Sequence, residues 1–87
     1  SDFYLYQNYP NPFNPQTNIT YNLPKTTNIS ISIFNLNGQL VTELVSEIKP
    51  AGLYSVLWDA QTEAAGTYFI KMVAGEFTQI QKCTVLK

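Results

Sequence analysis

The sequence predicts an all-β fold, a sandwich of about seven short antiparallel strands. Apolar and polar residues alternate with period two, β-branched and aromatic residues fill the alternating runs, and Gly, Pro and Asn clusters separate them. Helical spacing is hard to find. Two sheets packed face to face bury one face of each strand, and the alternating Ile, Val, Leu, Tyr and Trp residues supply that inner layer. A chain of 87 residues and 9.8 kDa holds one such domain and leaves little area for a deep substrate cleft.

A first strand is expected around Phe3 to Tyr6. Next, Ile19, Tyr21 and Leu23 alternate with Thr20 and Asn22 until Pro24 stops the run. Ile29, Ile31 and Ile33 alternate with Ser30 and Ser32, and the uncharged segment Ile29 to Phe34 would invite aggregation on an edge, so it is placed centrally. The turn Asn35-Leu36-Asn37-Gly38 offers Asn and Gly where positive φ is needed. Leu40 to Val45 follows, where Glu43 makes the alternation slip and predicts a bulge. Pro50-Ala51-Gly52 breaks the chain before Tyr54, Val56 and Trp58. After Gly66, Tyr68, Ile70 and Met72 line one side of Thr67 to Val73, and Ala74-Gly75-Glu76 forms a three-residue hairpin loop before Phe77 to Leu86. Ile31, Val56, Trp58, Tyr68 and Ile70 are expected in the core. Tyr68, two residues after Gly66, has the position of the tyrosine that pins a crossing of a Greek-key sandwich.

Charge and chemistry exclude several functions. The chain has five Lys, no Arg, six acidic residues and a net charge of -1, so it has no electrostatic footprint for nucleic acid. No apolar run reaches the roughly 20 residues of a helical span, and direct membrane insertion is not expected. Without His, Ser-His-Asp and Cys-His arrangements are impossible, and the spacing of Glu43, Glu47, Asp59 and Glu63 assembles no acid-base pair. No catalytic residue, cofactor or metal is assigned, since no loop around Asp2 or Asp59 repeats acids at alternate positions. The lone Cys83 reads as a buried thiol. Asn18-Ile19-Thr20 and Asn28-Ile29-Ser30 fit the glycosylation sequon at the frequency chance allows. The opening Ser1-Asp2-Phe3 lacks Met and reads as cut from a longer polypeptide, with Ser1 foreign to it.

The most unusual stretch is Gln7-Asn8-Tyr9-Pro10-Asn11-Pro12-Phe13-Asn14-Pro15. Three prolines in six positions remove three donors and push the preceding residues out of the α region, which predicts an extended segment. Asn8, Asn11 and Asn14 are expected in local Asx-type turns, with Tyr9 and Phe13 anchoring the segment as a stiff cover over one end of the core. Residues 1–16 are read as this lead-in and 17–87 as the sandwich body.

This block, with Thr17 and Ile19, resembles the type A C-terminal sorting domain of type IX secretion cargo proteins. The resemblance continues through Tyr21-Asn22-Leu23-Pro24, Ile29 to Gly38, Ala51-Gly52, Trp58-Asp59, Gly66-Thr67-Tyr68-Phe69, Ala74-Gly75, Lys82 and Lys87. It is similar, more distantly, to the immunoglobulin-like domain of flagellar hook-capping proteins. The resemblance implies an immunoglobulin-like Greek-key sandwich that acts as a non-catalytic sorting signal. It implies passage through the periplasm of a Gram-negative bacterium to the cell surface or medium. Implied partners are the type IX translocon, its sortase-like processing protease and a covalently linked upstream cargo. The implied recognition motif is Asn8, Pro10, Asn11, Pro12, Phe13, Asn14, Pro15, Gly38, Gly66, Tyr68, Gly75, Lys82 and Lys87. Departures are Gln39, where relatives carry Arg, Asn35, where they often carry Asp, and a short loop from Asp59 to Gly66. The alternatives are a carbohydrate- or protein-binding adhesion module appended to an extracellular enzyme, which needs exposed aromatics, and a plain structural linker.

Overall fold

The alternation of three isoleucines with serines puts Ile29, Ile31 and Ile33 on one face, and all three are buried. In a computed structural model that describes residues 2–87, their strand is central to the larger of two antiparallel sheets. Ser1 lies outside the described residues. The strands are β1 (Tyr4–Leu5), β2 (Gln16–Leu23), β3 (Thr27–Asn35), β4 (Leu40–Lys49), β5 (Gly52–Asp59), β6 (Gly66–Ala74) and β7 (Phe77–Val85). A three-stranded sheet, β1-β2-β5, faces a four-stranded sheet, β4-β3-β6-β7. This is an immunoglobulin-like sandwich in which β4 lies beside β3 instead of extending the other sheet. The aggregation-prone β3 has partners on both sides.

The bulge expected in β4 is present twice. Ile31 pairs with Val45 but Ser32 with Glu43, skipping Leu44, and Ile33 pairs with Thr42 but Phe34 with Leu40, skipping Val41. Each extra residue shifts the inward face, so Val41 and Leu44 both pack on the core beside Val45. The strand runs four residues beyond the expected Val45. Ser46 to Lys49 pair with Thr27 to Ser30 although Ser46, Glu47 and Ile48 are exposed, so no alternation marks them.

Four further expectations are corrected. Val56 is only half-buried, because β5 ends its sheet and has β2 as its sole neighbour there. The β6–β7 hairpin loop has two residues, since Ala74 pairs with Phe77, and Gly75 takes φ +61° at its first position. In the β3–β4 turn only Gly38 has positive φ, at +81°, and no other residue type does among the described residues. Asn35 orders that turn instead: its Oδ1 accepts the Asn37 and Gln39 N–H groups at 3.0 Å, and its Nδ2 donates to Gln39 Oε1 at 2.9 Å. The two departures from the family pattern thus touch each other. Finally, the proline-rich segment is not extended throughout. It pairs at Tyr9 and Phe13 and bends between and after them, and the bonds before Pro10, Pro12 and Pro15 are cis.

Candidate functional site

The lead-in runs from one sheet to the other and fastens to both. Leu5 pairs with Tyr21, the Tyr6 N–H donates to Thr20 O at 3.0 Å, and Tyr9 and Asn18 exchange backbone bonds at 3.0 Å. The chain then leaves β2 and reaches the free side of β7. There the Phe13 N–H donates to Thr84 O at 3.1 Å, and the Leu86 N–H donates to Phe13 O at 2.8 Å. The Thr84 N–H donates to Asn11 Oδ1 at 3.0 Å. A block near one end of the sequence therefore covers the last part of the sheet edge formed by the other end, which a sandwich otherwise leaves open to unwanted pairing.

Asn8 is 1% exposed and would be costly to bury unpaired. Its Nδ2 donates to Thr17 Oγ1 at 3.0 Å and to Pro10 O at 3.2 Å, and its Oδ1 accepts from Gln7 Nε2 at 2.7 Å. Thr17 Oγ1 also donates to Pro10 O at 2.8 Å, fixing the bend. Of the three asparagines, Asn8 bonds locally as expected, whereas Asn11 reaches across to β7.

Phe13 is buried and Tyr9 is not, so one of the two expected aromatic anchors holds the segment. Phe13 packs edge-on against Trp58 at 5.4 Å, and Trp58 packs edge-on against Tyr68 at 5.4 Å. Trp58 is accordingly a core residue. The Tyr68 hydroxyl donates to Ala64 O at 2.7 Å, which pins the β5–β6 crossing, and burial raises its pKa, with Glu63 adding to the effect. The same loop is held by an Ala60 N–H bond to Pro15 O at 2.9 Å and by Lys87 Nζ donating to Gln61 O at 2.7 Å.

One end of the sandwich thus gathers Pro15, Phe13, Tyr68 and Lys87. Gly66 pairs with Val85 there, and the Gly38 turn follows the Asn35–Tyr68 pair at the same end. Lys82 projects into solvent one row further along β7, while its carbonyl accepts from Gln7 Nε2 at 3.1 Å. Gly75 lies at the opposite end of β6, apart from the rest.

Two latching residues escape the motif reading. Gln79 Oε1 accepts the Leu5 N–H at 2.8 Å, and Gln79 Nε2 and Gln81 Nε2 donate to Leu5 O at 2.9 and 3.2 Å. A signal exists: both lie on the face of β7 that carries Phe77, Cys83 and Val85, where a polar side chain needs a partner. A second tyrosine, Tyr54, bonds Pro50 O at 2.7 Å and repeats the four-residue reach of Tyr68. Among the described residues no three His, Cys, Asp or Glu side chains converge.

This latched geometry joins the parts of the sequence that carry the resemblance, and the family model of the secretion system C-terminal sorting domain matches residues 7–86. The chain belongs to that family. No curated protein and no solved structure gives a significant match. The sorting domain is non-catalytic and serves as a signal for type IX secretion, directing the protein that carries it across the outer membrane to the cell surface or extracellular space.

Proposed function

We propose that the export machinery reads the latched end of the sandwich as one surface, composed of the lead-in block and the last strand together. The observation that carries this is the bonding of Asn11 and Phe13 to Thr84 and Leu86, which makes two distant sequence motifs a single element. In this reading residues 1–87 act as one sorting domain, with 1–16 as lead-in and 17–87 as body. Asn8, Pro10, Pro12, Asn14, Pro15, Gly38, Gly66 and Tyr68 shape the element, Lys82 offers it an exposed charge, and Gly75 serves the domain only by turning the β6–β7 hairpin at the far end. The cargo is linked upstream and has whatever activity the carrier protein has. The translocon is the docking partner, and a sortase-like protease separates domain and cargo.

Lys82 and Lys87 are not equivalent in this scheme. Lys87 binds a loop carbonyl, so its loss loosens the end, whereas the Lys82 side chain stands free in solvent. The test is a fluorescent protein with a Sec signal at its start and this domain at its end, expressed in a type IX-competent cell. Wild type should reach the medium or surface. Removing Val85 to Lys87 should leave it periplasmic and destabilised, because Val85 is in the core. Lys82→Ala should fold normally and export poorly. A folded wild-type fusion that stays periplasmic while the host exports its own cargo overturns the sorting role for this chain. Undiminished export of Lys82→Ala removes Lys82 from the read surface.

A further inference from the structure

The sandwich has four outer strands, and three are guarded. β1 is two residues long, and its Leu5 backbone is capped by Gln79 and Gln81. β7 is covered by the lead-in over its second half, at Lys82 and Thr84. β4 carries two bulges with Glu43 and Glu47. Charge, shortness, irregularity and cover are the means by which sheets avoid pairing with other chains. β5 has none of them: Leu53 to Trp58 is uncharged, free of Pro and regular against β2 over its whole length. Five of those six residues are apolar, the composition of a strand covered on both faces, although the outer face of β5 is exposed at Leu53, Ser55 and Leu57. Leu53 and Leu57 are 65% and 48% exposed, and Val56, which the alternation assigns to the core, remains half-buried.

We propose that β5 is the docking edge for a second copy of this chain, with the two β5 strands pairing antiparallel about Ser55. The strand is self-complementary in that register and less so in the register about Val56. Centred on Ser55, Leu53 faces the second copy's Leu57 on the outer surface, and Tyr54 faces the second copy's Val56 on the inner one. Asp59 then falls opposite the second copy's Ala51, outside the paired run. Centred on Val56, Leu53 would instead face the second copy's Asp59. The product is a continuous six-stranded sheet, β1-β2-β5 joined to its symmetry mate, with an isologous contact and no like charges opposed. Its buried area comes from one strand pair, which places it among weak, concentration-dependent associations.

The test is sedimentation velocity of the 87-residue chain from micromolar to millimolar concentration, with circular dichroism confirming the β fold of each variant. Wild type should move reversibly from monomer to dimer. Ser55 is exposed, and Ser55→Lys or Ser55→Asp puts like charges on the two-fold axis, so each variant alone should associate about tenfold more weakly or not at all. Mixing the two variants should restore the dimer as a heterodimer, which a merely structural effect of either substitution would not do. A wild-type chain that stays monomeric at millimolar concentration overturns the proposal, whatever other strand binds there. Dimerisation of both variants at wild-type strength, or failure of the mixture to restore it, equally overturns pairing about Ser55.

Discussion

Phe13 is 2% exposed and Tyr9 is 79% exposed, although both are aromatic and both sit within one proline-rich run. The difference is what lies beneath: Phe13 meets Trp58 edge-on, while Tyr9 is held by its backbone bonds to Asn18 with its ring in solvent. Truncating Phe13 to Ala should cost about 3–5 kcal/mol, a large share of a small domain's stability, and Tyr9→Ala should stay within about 0.5 kcal/mol. Chemical denaturation midpoints check both, and equal midpoints for the two variants would contradict the assignment. Neither role was readable from the block itself, because the proline spacing marks both aromatics alike. What separates them is Trp58, 45 positions downstream of Phe13.

Cys83 shows a second effect at the residue scale. Burial pushes its thiol from 9.0 up to about 11. The folded state keeps the proton that the unfolded chain releases, so the thiol's contribution to stability is complete below pH 9 and is lost as pH rises through 11. That loss should amount to on the order of 2 kcal/mol. Denaturation at pH about 8 and about 10.5 should show a decline that is shallower in Cys83→Ala. Tyr21 and Tyr68, both raised chiefly by burial, contribute to the decline left in that variant above pH 10. A thiol reagent that labels folded Cys83 at neutral pH as fast as the unfolded chain would contradict its burial.

At the scale of elements, strands are legible where inward apolar residues alternate with outward polar ones, as in β2 and most of β3. Ile29, Ile31 and Ile33 needed no other information, and Glu43 marked the bulged region of β4 by breaking the alternation. The missed parts have a shared cause. The end of β4 is exposed on both faces, so only its register with β3 defines it. The fastening of β7 to Leu5 spans more than 70 positions, and a local pattern carries no trace of its partner. Gln79→Ala tests that fastening. It leaves the Leu5 N–H without its acceptor and should cost about 1–3 kcal/mol. Amide hydrogen exchange should show Leu5 losing protection while Ile31 in β3 keeps its own. Unchanged exchange at Leu5 would mean that the glutamine bond does not hold the edge.

For the whole molecule, the order β1-β2-β5 against β4-β3-β6-β7 makes the lead-in the piece that joins the two sheets on one side, while β4 and β5 are joined on the other by Pro50 and Ala51. Residues 2–15 contribute Leu5, Phe13 and Asn8 to the interior, yet most of their backbone bonds are to partners outside the segment. A segment bound this way should act as a ligand of the remaining sandwich when the covalent link is cut. We expect the chain beginning at Gln16 to lose the shielding of Trp58, with a red-shifted emission, and to aggregate through the uncovered edge of β7. A synthetic peptide of residues 2–15 added in trans should bind that edge, shift the Trp58 emission back and restore solubility. A peptide with Phe13→Ala should fail to restore the emission, because the ring that covers Trp58 is missing. A truncated chain whose Trp58 is as shielded as in the full chain, or a Phe13→Ala peptide that restores it fully, would show that the lead-in is not what closes this end of the fold.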